Sequence, residues 1–260
     1  MQAPSLPKVK FKLPTVSREA EMLSMFCQPH KDVWDWSDVI YRSHPKLKDV
    51  LKGKKSKEFY AYILQYTRVV VKERKKELDG LVIKYQKEWN VVNDAYLQIL
   101  SEHLETECPK NRKVITAYVS IVPIYPRFLD EWAFNVSSKE PEMVIPISMH
   151  EILHFLYFKK WMEVFPKTKR KELDAPHLVW RLSEILDPII LNNNPEIQAL
   201  LKYEHGHYSE FQNAKIGKKP LIKHFEDLYR KHLRSKQSFE GFLKICWDGA
   251  LKHREIIEKA

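Results

Sequence analysis

The segment EMVIPISMHEILHFLYFKKWMEVF carries apolar side chains on nearly every face of a helix, so it has to be enclosed by other elements. Such a helix predicts layers of structure around it, and Pro146 fits its first turn, where a backbone N–H has no partner to lose. Three groups break the apolar surface: His150, Glu151 and His154. Burying an imidazole or a carboxylate without a partner is costly, so this set requires an explanation.

The flanking sequence supplies the layers. From Ser56 to about Glu105, tyrosines, leucines and valines recur at helical spacing with one glycine, Gly80, which predicts two long helices or one with a break. KVITAYVSIVPIYPRFLDEWAFNVSS is β-branched and aromatic, with Pro123 and Pro126, and reads as two or three short strands, one at an edge because proline cannot donate to a ladder. Residues 1–30 contain four prolines and no clear period, and are expected to form an irregular arm. DVWDWSDVIYRSHPKLKDVL predicts one or two short helices. After the apolar helix, Asp174 is a plausible N-cap for PHLVWRLSEILD, and Pro188 should kink or stop that helix. PLIKHFEDLYRKHL and FEGFLKICWDGALKHREIIEKA predict two closing helices. The expected class is α+β and predominantly α-helical, in one domain of 260 residues: an arm and helical layer over 1–105, then the strands, the apolar helix and the C-terminal helices over 106–260.

Composition narrows the function. At 44% hydrophobic and 12% aromatic the chain is no disordered protein. No apolar run approaches a membrane span, and no apolar stretch follows the basic residues of the opening, so a protein of the cytoplasm is expected. Cys27, Cys108 and Cys246 are odd in number and far apart, and are expected to be free thiols. The net charge of +10 leaves nucleic acid as a partner, but the runs KGKKSK, KERKKE and KTKRKE come without any recognisable nucleic-acid motif and read first as solvated faces.

On a helix, His150 and His154 at i and i+4 project from one face at a separation that lets two imidazoles reach one tetrahedral metal ion. Glu151, one step round, can reach a water on that metal. The pattern HEILH resembles the HExxH zinc metallopeptidases, the zincins, and the β-like stretch upstream matches their strand-before-helix order. The resemblance implies a small sheet packed on the HExxH helix, Zn2+ as cofactor, His150 and His154 as ligands, and Glu151 as the general base of peptide hydrolysis. Zincins that draw their third ligand from a glutamate on a later helix are the gluzincins, and Glu184 is placed like theirs, though further from the second histidine than in the best-known members. His177, Trp180, Glu184 and Asp187 share one helical face, which offers Asp187 and His177 as supports around the ligands; the alternatives are pairing of Glu184 with Arg181 on the surface and Asp187 as a cap on its own helix end. The loop KYEHGHYSEFQ offers Glu204, His205 and His207 as rival ligands, or His207 or Tyr208 as the oxyanion donor that zincins place near the metal. The metzincin spacing is absent, since residue 157 is Tyr and residue 160 is Lys.

Three functions remain open on these residues. The first is a zinc peptidase acting on a peptide or protein substrate, with an extended peptide pairing along an edge strand drawn from residues 115–138. The second is a zincin-like regulator that cuts or binds one DNA-associated partner. The third is a nucleic-acid-binding or structural protein in which HExxH is incidental.

Overall fold

The computed structural model describes residues 6–28, 35–51, 56–201, 203–235 and 237–260. Parts of the expected N-terminal arm, of the DVWDW stretch, of the KGKKSK run and Lys202 lie outside them. The chain forms two compact units, one of residues 7–93 and 113–148, the other of residues 94–112 and 149–260 with the first six. The fold is mostly helical with a small mixed sheet, as its periodicities predict.

In the first unit β1 (Lys8–Lys12), α1 (Val16–Phe26), α2 (Ser37–Ser43), α3 (Pro45–Leu51) and α4 (Ser56–Glu73) lead into α5 (Lys75–His103), whose residues beyond 93 belong to the second unit. The helical run breaks at Arg74 and not at Gly80, whose added Cβ would meet nothing within 4 Å. β2 (Val114–Ser120), β3 (Arg127–Phe128) and β4 (Ala133–Ser137) complete a sheet of order β1-β2-β4-β3. β1 and β4 run parallel to β2, and β3 is the antiparallel edge that Pro126 leads into.

The expected irregular arm is therefore a strand and a helix. KVKFK alternates, burying Val9 and Phe11, and Thr15 caps α1 by accepting from the Arg18 N–H at 3.2 Å. As an edge, β1 needs its outward amides satisfied. Side-chain amides of α5 do this: Asn93 accepts from the Val9 N–H at 3.1 Å, and Gln86 accepts from the Phe11 N–H while donating to the Val9 carbonyl, both at 3.0 Å. Leu23, Ile40, Leu47, Ile63, Ile121 and Val122 are among the buried residues packed in this unit's core.

The second unit takes most of α6 (Val144–Val164). Every residue from Glu151 to Phe158 is buried, as an apolar surface on all sides demands. α7 (Leu178–Asn193) starts later than expected. His177 is its N-cap, and Asp174 instead closes a 3-10 turn, Arg170–Leu173, while accepting from Arg170. α7 also continues through Pro188, because residues 182–191 are all buried and their packing outweighs one lost hydrogen bond. It ends at Asn194, whose side chain accepts from the N–H groups of Glu196 and Ile197 and so starts α8 (Pro195–Leu200). α9 (Ser209–Asn213), the hairpin of β5 (Lys215–Ile216) and β6 (Lys219–Pro220), α10 (Leu221–Ser235), α11 (Phe239–Lys252) and α12 (Arg254–Lys259) follow. The last predicted helix is thus two, divided at His253.

The three cysteines are free thiols. Charges of the run KERKKE pair along the helix, Arg74 with Glu77 and Lys75 with Asp79, as on a solvated face. Among the described residues, no helix is long and apolar enough to cross a membrane.

One carboxylate in the first unit titrates far from its usual range. Glu19 is 1% exposed and accepts from the Ser120 hydroxyl at 2.9 Å and from the Ile121 N–H, joining α1 to the end of β2. Burial pushes its pKa up to about 7, against the pull of those donors. A raised carboxyl pKa contributes stability that is full below the unfolded value near 4.5 and is lost as pH rises through 7. Urea unfolding should therefore show the wild type losing on the order of 2 to 3 kcal/mol between about pH 5 and pH 8 relative to Glu19→Gln, and equal slopes in the two proteins would contradict it.

Candidate metal centre

α6 and α7 each contribute two polar groups to one buried cluster. His150 and His154, one helical turn apart, direct their Nε2 atoms to within 3.1 Å of each other. From α7, Glu184 places one carboxylate oxygen 3.6 Å from His150 Nε2 and the other 3.4 Å from His154 Nε2. Among the described residues, these three are the group of ligand-type side chains that could hold a metal ion. Glu184 is 3% exposed, so it is no surface residue, and Arg181 points its guanidinium at the backbone carbonyls of Pro176 and Ile257 instead.

Behind the cluster, Asp187 lies 2.7 Å from His154 Nδ1, with both side chains fully buried. A carboxylate at that distance favours the tautomer with its proton on Nδ1, which turns the Nε2 lone pair toward Glu184 and His150. Glu184 and Asp187 reach the same neighbour because three residues bring α7 back to one face, as their spacing predicts. Glu151 follows His150 on α6, about 100° round the helix, and is 4% exposed.

His205 and His207 also belong to this neighbourhood. The His205 ring stacks on His150 with centroids 6.3 Å apart, and it stands outside the three-residue ligand group. Burial, then His150 and His207, push its pKa down to about 3, so the ring is neutral at physiological pH. The His207 pKa is lowered chiefly by burial and further by His150, while the Ile185 carbonyl opposes the shift by accepting from the ring. His207 Nε2 is buried without a hydrogen-bond partner among the described residues.

Other predicted site residues fall outside the three-residue ligand group. His177, at the N-cap of α7, is seven residues before Glu184, roughly 10 Å along the axis, and is not brought to the cluster. Tyr208 is the N-cap of α9 with its ring edge-on to Phe211, and exposed Glu204 is in the loop.

Asn192 was not foreseen from the sequence. Its side chain accepts from the His205 N–H at 2.8 Å and donates to the His205 carbonyl at 2.9 Å, which fixes the loop against α7. Nothing in LNNNP singles out one asparagine of three. Comparison of the chain with models of known protein families, with curated proteins and with solved structures finds no match.

Proposed function

We propose that this chain is a zinc-dependent metallopeptidase of zincin-like arrangement, with His150, His154 and Glu184 as ligands and Glu151 as general base. The observation that carries this reading is the convergence of two imidazoles and a carboxylate from two helices on one point, with Asp187 behind one of them. Tetrahedral bonds of about 2.0 to 2.2 Å would set donor atoms roughly 3.3 to 3.6 Å apart. The separations of 3.4 and 3.6 Å, to the two oxygens of Glu184, fall in that range, and the 3.1 Å between the imidazoles lies just below it. Charge argues the same way. Glu184 and Asp187 are both nearly free of solvent contact, and a dication would balance two buried carboxylates where neutral imidazoles would not.

Zinc, when bound, supplies Lewis acidity, polarising a substrate carbonyl and lowering the pKa of water to about 7. Asp187 holds His154 in the tautomer that presents a lone pair to the cluster and raises the basicity of that nitrogen. Glu151 accepts the proton of the attacking water and delivers it to the leaving amine. Of the two candidates for oxyanion donor we assign His207 over Tyr208, because the field of His207 reaches His150; with one ring N–H given to the Ile185 carbonyl, its Nε2 donates only when the ring is protonated.

Two tests separate the metal from the chemistry. Purified protein should hold about one zinc per chain. His150→Ala and His154→Ala should lose it together with the thermal stabilisation it confers, and Glu184→Ala and Asp187→Asn should each weaken affinity about tenfold or more. Full zinc content in the variant lacking both histidines would overturn the site. Glu151→Gln should keep zinc while peptide hydrolysis falls about a hundredfold or more, and undiminished turnover would show that Glu151 is not the base.

A further inference from the structure

A cavity of about 660 Å³ is lined in part by His205 and His207, and the His205 ring stacks on His150 of the cluster. The amide side chains on its wall donate to backbone carbonyls. Asn193 donates to the Ile189 carbonyl at 2.9 Å, Gln212 to the His207 carbonyl at 3.0 Å, and Gln198 to the carbonyls of Leu191 and Tyr203 at 2.9 and 3.0 Å. An amide held by its nitrogen has its oxygen left to offer. Three wall residues therefore present acceptors, and Glu204, which makes no ion pair among the described residues, adds a carboxylate.

The cations at this cavity are already engaged. Arg230 donates from Nε and Nη2 to one oxygen of Glu226, while Lys223 donates to the other. In the lining Arg230 and Glu226 offset each other, so its unbalanced charge is that of Glu204. Ile189 and Ile222 supply apolar surface in the same cavity. Amide oxygens, one unbalanced carboxylate and an apolar wall match a long aliphatic stem that ends in a cationic group with several N–H donors.

We infer that this cavity is the specificity pocket of the site and takes the lysine or arginine side chain of a peptide beside the scissile bond. The inference rests on the metallopeptidase reading for its substrate but not for the pocket's preference. Asn192 is a positioning residue here, because its two bonds to His205 fix the loop that carries both pocket histidines and Glu204.

The experiment has a turnover arm and a binding arm. Zinc-loaded protein is incubated with unfolded casein and the cut sites are read by mass spectrometry, for wild type and for Glu204→Lys, a change at an exposed loop position that the fold tolerates. Lysine and arginine should be enriched at least about tenfold at one position flanking the cut, and Glu204→Lys should shift that position toward acidic residues. Calorimetry on zinc-loaded Glu151→Gln then compares a blocked hexapeptide of five alanines and one arginine with its leucine counterpart. Arginine should bind about tenfold more tightly, and Glu204→Lys added to the Glu151→Gln protein should abolish the difference. Cuts that show no basic preference, or leucine binding as well as arginine, would overturn the pocket while leaving the peptidase reading in place. Arginine-selective, Glu204-dependent binding with no cutting of any substrate would overturn the peptidase reading and keep the pocket.

Discussion

The imidazole of His154 lies between two carboxylates, with Asp187 at Nδ1 and Glu184 near Nε2, and all three groups are buried. Two negative charges withdrawn from water on one helix would be costly unless something positive lies between them. His154 ties those charges to α6, and His150 joins from the next turn.

Pro188 shows how packing overrides a local rule. Had α7 stopped there, Glu184 and Asp187 would still sit in the helix, but Asn192 would not. The turn beyond the proline carries the side chain that clamps His205 by both backbone groups. A helix that spends one backbone bond to continue thus supplies two parts of one neighbourhood, the carboxylates before the proline and the loop anchor after it.

Much of this was legible in the sequence because its signals are periodic. The i, i+4 spacing of His150 and His154 and the i, i+3 spacing of Glu184 and Asp187 specify shared faces whatever the surrounding fold. The apolar circumference of α6 specifies burial. What was not legible depends on partners distant in the chain. KVKFK is too short to declare a strand, and its amides are satisfied by Gln86 and Asn93, far along the chain. The arrest of the first helical run at Arg74 and not at Gly80 reflects an exposed glycine that packs against nothing. His177 shares the periodic face of Glu184 on paper, but α7 begins after it, so the face ends before reaching it. The selection of His205 over its loop neighbours as the ring on His150 comes from Asn192, and a polar clamp has no period.

The central claim is that two imidazoles and one carboxylate converge on a single metal ion. X-ray absorption fine structure of the zinc-loaded protein tests it most directly, because the scattering shell reports donor type and distance without reference to turnover. The account requires four light donors at about 2.0 to 2.2 Å, with the outer-shell signature of two imidazoles. A sulfur shell near 2.3 Å, or a six-coordinate shell of oxygens with no imidazole signature, would contradict it.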